Sequence, residues 1–197
     1  MAMNDPAPPD LPRLTLPMAA VFYLGFGAVA VAWAAFTEPG VELLWRAPAE
    51  HSVPWWLAGP GVGLLLVLAT ILAEPRVPAL RKLSELLAPM VAPFHLPRIA
   101  VLAMLSGVCE EALFRGPFQH SLGYVAASVI FGLLHGGLSK RYIAWSTFAL
   151  IAGLSFGLLA EVYQSFWPAA LAHVVVNGIN LRRLQAVWLR LEGKELR

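Results

Sequence analysis

Three short runs of polar residues interrupt stretches that are otherwise almost wholly apolar. Cys109-Glu110-Glu111-Ala112-Leu113-Phe114-Arg115-Gly116 carries two adjacent carboxylates and an arginine. Phe131-Gly132-Leu133-Leu134-His135-Gly136 carries a histidine, and His173-Val174-Val175-Val176-Asn177 a histidine and an amide. Glu111 and Arg115, Phe131 and His135, and His173 and Asn177 are each four apart, so on a helix each pair shares a face. Glu111 can then pair with Arg115, while Glu110, about a hundred degrees round the helix, points elsewhere. Two neighbouring carboxylates in low dielectric do not both ionise easily unless a cation is near. Arg115 would keep Glu111 charged and leave Glu110 as the group that exchanges protons. A carboxylate facing a histidine such as His135 can position and deprotonate a water. His173 and Asn177 can donate to the oxyanion of a tetrahedral intermediate.

Other chemistries use the same residue types. Glu and His also ligate zinc, but the His-Glu-x-x-His pattern of zinc proteases is absent. Ser106, one turn before Glu110, and Cys109, its neighbour, are candidate nucleophiles for a Ser–His or Cys–His dyad. Small residues in a membrane helix more often serve packing. A proton-coupled transporter would use Glu and His as a relay, although no internal repeat supports such a fold. A non-catalytic membrane scaffold would keep the motifs for shape. His51, His95 and His120 fall in loops or at interfaces, where solvated histidines are ordinary.

The elements that must carry these residues are membrane helices. Of the 197 residues 58% are hydrophobic and 13% charged, and the mean hydropathy is +0.67. Charged residues are about half as frequent as in a soluble domain. One cysteine excludes an internal disulfide, and no phosphate loop or nucleic-acid motif is present. Apolar stretches of the length that crosses a hydrocarbon core run over about 17–36, 54–73, 98–117, 120–138, 142–162 and 165–181. These predict an all-α bundle of about six transmembrane helices. Leu80, Leu83, Leu86, Leu87, Met90 and Val91 alternate with Arg81, Lys82, Ser84 and Glu85 in the pattern of an amphipathic helix over about 80–91, lying in the headgroup region. Residues 1–16, rich in proline, read as a disordered lead, 17–183 as the membrane domain, and 184–197 as a basic tail. With six crossings, twelve of the fourteen Lys and Arg residues fall on one side. The positive-inside rule places both termini in the cytoplasm. Gly153 and Gly157 are spaced for close helix contact within the bundle.

The ordered set Glu-Glu-x-x-x-Arg, Phe-x-x-x-His and His-x-x-x-Asn on successive membrane helices resembles the CPBP or Abi family of glutamic intramembrane endopeptidases. The likeness covers about 98–180. It implies that Glu110 and His135 activate the hydrolytic water without a metal or cofactor. It also implies that His173 and Asn177 hold the oxyanion, and that Glu111, Arg115 and Phe131 give support. The expected partner is a membrane-anchored protein or peptide, cleaved near its C-terminal end or anchor, in a bacterial plasma membrane. Depth sets a problem for this reading. Counted from Arg98, Glu110 lies about 18 Å along its helix, near mid-membrane, whereas His135 falls close to the cytoplasmic end of the 120–138 span.

Overall fold

The computed structural model describes residues 14–91 and 94–193. Helix α1 (Leu16–Ala35) is opened by Thr15, whose hydroxyl accepts from the Met18 amide, with a proline in its first turn. It is followed by α2 (Trp55–Ala73), α3 (Pro78–Leu87), α4 (Leu96–Leu113), α5 (Gln119–Leu122), α6 (Tyr124–Leu134), α7 (Ile143–Tyr163) and α8 (Trp167–Leu191). No strand occurs among the described residues, so the all-α expectation holds.

α1, α2 and α7 are each long and apolar enough to cross a membrane. In α1 and α2 only 17% of the apolar window is buried within the protein. Val21 and Leu65 are among the side chains left outside, 75% and 66% exposed. A belt of this kind costs free energy in water and none in hydrocarbon, so the chain is a membrane protein. The amphipathic segment is α3, extended by a 3₁₀ turn over Ala88–Val91. The axis of Pro78–Val91 meets that of Leu96–Leu122 at 109°. Leu14 donates its amide to Met90, which ties the start of α1 to the same end of the bundle.

Three expected spans differ in detail. The 98–117 span is α4 followed by a π-turn, Phe114–Phe118, in which Gly116 leaves helical geometry beside Pro117. Residues 120–138 are not one long helix, because α6 has only 11 residues. At 1.5 Å per residue it covers roughly 16 Å, about half a hydrocarbon core. Gly123, at φ +81, breaks the chain before it, and Gly136 and Gly137, at φ +151 and +62, turn it behind His135. The last helix runs to Leu191 rather than ending near 181, so the segment expected as a tail is helical through that point. Residues 1–13 of the expected lead and 194–197 of the expected tail lie outside the described residues.

Helix contacts are close where side chains are small. A Cβ on Gly59 or Gly63 of α2 would lie 2.4 or 2.6 Å from a carbonyl oxygen of α8, and one on Gly107 of α4 would lie 2.7 Å from Val174 Cγ2. Glycine here lets backbones approach to a distance that any side chain would prevent. α8 is thereby clasped between α2 and α4. Gly153 and Gly157 seat α7 against Ser128, Phe131 and Tyr124 of α6, a contact within the bundle as their spacing predicts.

Candidate intramembrane active site

α4 delivers both carboxylates to the interior, Glu111 fully buried and Glu110 7% exposed. Their surroundings are opposite. Glu111 accepts from Arg115 Nε at 2.7 Å through Oε2 and from His173 Nδ1 at 2.7 Å through Oε1. Arg115 also donates to Gln119 Oε1 at 3.4 Å and to Ser128 Oγ at 3.3 Å, and its guanidinium carbon lies 5.5 Å from the Phe131 ring centroid. A buried charge without such partners would be expelled or neutralised. Here cation, carboxylate and imidazole pair with one another, with Arg115 Nη2 the one nitrogen of the guanidinium left buried without a hydrogen-bond partner among the described residues.

Glu110 meets no such neutralising cation. Its Oε2 stands 3.9 Å from His135 Nε2, too far for a hydrogen bond and close enough for one water to touch both. His135 Nδ1 lies 2.7 Å from the Phe131 carbonyl oxygen. A carbonyl only accepts, so Nδ1 carries the proton and, in a neutral ring, Nε2 turns a lone pair toward Glu110. Phe131 fixes the ring a second way, its own ring packed against it at a tilt of 44° with centroids 4.4 Å apart. α6 ends beside the start of α7, where the His135 ring lies 5.5 Å from that of Trp145, and the chain's turn there brings His135 to Glu110.

α8 supplies the third pair. His173 stacks on Phe156 with centroids 5.3 Å apart, and its Nε2 lies 3.0 Å from Asn177 Nδ2. The same amide nitrogen donates to Ser106 Oγ at 2.8 Å. Glu110, His135, Asn177 and Ser106 line a cavity of about 670 Å³, which Glu111, Arg115 and His173 do not reach. The cavity extends along α8 past Leu181 and Leu184 to α3, where Arg81 and Leu83 form part of its wall. At that end Arg183 of α8 pairs with Glu74, the residue that caps the end of α2, which also accepts from Ser84 of α3 at 3.0 Å.

All seven residues predicted from the sequence therefore meet, in two layers. Glu110, His135 and Asn177 face the cavity. Glu111, Arg115, His173 and Phe131 stand behind them, and both nitrogens of His173 are engaged. The candidate nucleophiles lie otherwise. Cys109 Sγ packs toward α1, 3.5 Å from where a Cβ of Gly27 would be. Ser106 accepts from an amide and donates to the Ala103 carbonyl, with no histidine as its base. Among the described residues no three His, Cys, Asp or Glu side chains are grouped to hold a metal ion.

Sequence reasoning passed over Gln119 and Ser128. Gln119 is 5% exposed and joins Arg115 to the Gly157 carbonyl and to Glu161. Its place four residues after Arg115 was a legible signal. Ser128 lies across the Gly123 break and had none.

Residues 92–179, which contain all three motifs, match the family described as type II CAAX prenyl endopeptidase Rce1-like. The resemblance read from the motifs holds over the segment that carries them. The chain is also 33% identical over 87 residues to the uncharacterized protein YpbD of Bacillus subtilis (strain 168). That match covers 43% of this chain and 44% of YpbD, less than half of either. No solved structure matches the chain.

Proposed function

We propose that this membrane protein, matched over residues 92–179 by the Rce1-like CAAX endopeptidases, is an intramembrane endopeptidase that hydrolyses a peptide bond with a water held by Glu110 and His135. The observation that carries the reading is the 3.9 Å gap between Glu110 Oε2 and His135 Nε2 at the wall of a cavity. A water in that gap turns one hydrogen to the carboxylate and one to the imidazole, leaving a lone pair for the scissile carbonyl carbon. Glu110 accepts the proton as the C–O bond forms and returns it to the departing amine. Asn177, on the same cavity wall, donates an N–H to the developing oxyanion. His173 and Glu111 hold Asn177 from behind. The substrate is a membrane-anchored protein, entering along the mainly apolar cavity from the α3 end, with both chain termini cytoplasmic. A proton relay across the protein is less well supported, since the far side of Glu111 is closed by the permanent cation of Arg115.

The test is processing in the parent organism. Mass spectrometry of C-terminal peptides should reveal membrane-anchored proteins that stay uncleaved in a deletion strain and in one expressing Glu110→Gln. The wild-type gene should restore their cleavage. Full restoration by Glu110→Gln would falsify the glutamate mechanism, and if no protein's processing changes in the deletion strain the protease reading fails.

A further inference from the structure

Ser106 is 1% exposed, and its hydroxyl sits between the Ala103 carbonyl and the Asn177 amide at the cavity wall. The atoms around it leave one way to place the protons. A carbonyl oxygen only accepts, so Ser106 gives it the single hydroxyl proton, at 3.2 Å. Ser106 Oγ then faces Asn177 as an acceptor, and the amide must present its nitrogen, at 2.8 Å. The second hydrogen of that nitrogen meets His173 Nε2 at 3.0 Å, which accepts. The chain can be counted from the other end as well. Arg115 only donates, the Glu111 carboxylate only accepts, and so His173 Nδ1 donates to Glu111. The two counts are complementary: the second puts a proton on His173 Nδ1, and the first puts the lone pair on Nε2.

We infer that Ser106 is a positioning residue for Asn177, fixing the amide with its nitrogen rather than its oxygen between Ser106 and His173. This rests on the hydrolytic reading of the site. An asparagine amide has nearly the same shape after a half turn, so packing alone does not choose between the orientations. The hydroxyl and the His173 Nε2 lone pair choose together, and of the two only the hydroxyl stays bonded to the amide as the oxyanion forms. As the oxyanion forms, Asn177 exchanges its bond to His173 Nε2 for one to the oxyanion, while Ser106 retains the other N–H. Without the hydroxyl only His173 Nε2 holds the amide. Once that bond is exchanged for the oxyanion nothing fixes the nitrogen there, so the amide turns over more readily to present an acceptor oxygen, which repels an oxyanion.

Ser106→Ala should lower kcat about ten- to a hundredfold with KM little changed, as expected when a transition-state donor is misplaced. The substrate for this assay is a synthetic C-terminal segment of a protein that accumulates in the deletion strain. Ser106→Thr, which keeps the hydroxyl, should recover most of the rate, and adding Ser106→Ala to Asn177→Ala should cost nothing more. A wild-type kcat in Ser106→Ala, or a loss that adds in full to that of Asn177→Ala, overturns the inference. A second measurement needs no substrate. In ¹⁵N-labelled protein in lipid nanodiscs, the Asn177 side-chain NH₂ protons should exchange slowly in wild type and Ser106→Thr and quickly in Ser106→Ala. Slow exchange retained in Ser106→Ala overturns the inference whatever the kinetics. If exchange behaves as expected but Glu110→Gln cleaves like wild type, the hydrogen-bond lock stands and the hydrolytic reading falls.

Discussion

Glu110 and Glu111 are neighbours in the chain and opposites in the fold. Glu111 is enclosed by Arg115 and His173 and makes short bonds to each. Glu110 stands at the cavity wall and faces its histidine across a gap. A carboxylate whose lone pairs are occupied by donors holds structure, since moving it breaks several bonds at once. One that faces open space beside a base can take a proton from water and return it. The difference comes from the hundred degrees between successive residues on a helix, which turns one side chain to the cavity and the next into the packed interior. Arg115 then settles the assignment by reaching back one turn to Glu111.

Four substitutions break or sharpen this contrast. Glu110→Gln should lower cleavage about 10²–10⁴-fold while the thermal midpoint in detergent stays close to wild type. A large fall in stability would mean that Glu110, too, is structural. Arg115→Met should act the other way round, leaving Glu111 buried without its cation at a cost of about 3–5 kcal/mol. Denaturation should show that loss, and Glu111→Leu combined with Arg115→Met should recover part of it, because the uncompensated charge is gone. Gly107→Ala places a methyl 2.7 Å from Val174 Cγ2 and 2.9 Å from the Val174 backbone nitrogen. It should force α4 from α8 at a cost of about 1–3 kcal/mol and also depress activity, since the two helices carry Glu110 and Asn177. Cys109→Ala removes only a thiol packed toward α1, and its effect on cleavage should be under about twofold, consistent with packing as the role of small residues here. A large loss there would reopen a cysteine mechanism.

Much of the molecule is legible in its sequence because the bilayer makes polar residues conspicuous. A carboxylate in an apolar span needs a reason, and spacing by four is enough to pair Glu111 with Arg115 along a single helix. The spans expected at 17–36, 54–73 and 142–162 match α1, α2 and α7 within about a residue at each end, since unbroken apolar runs have few alternatives. The 120–138 span departs from expectation for a physical reason. Hydropathy adds up apolar residues but does not register that Gly123, Gly136 and Gly137 adopt positive φ and cut the helix to 11 residues. The same limit hides the glycines at 59, 63 and 107, whose importance lies in what packs against them.

By itself the sequence determined the solvent, the helices and the set of polar residues that must meet, because each follows from local composition or from spacing along one helix. Only the tertiary structure decided which of those residues face the cavity. That division depends on where α6 ends against α7 and on how closely α4 and α8 approach. It also depends on which atoms of Ser106, Asn177 and His173 are left to donate. Those are relations between helices distant in the chain, and no single stretch of sequence contains them.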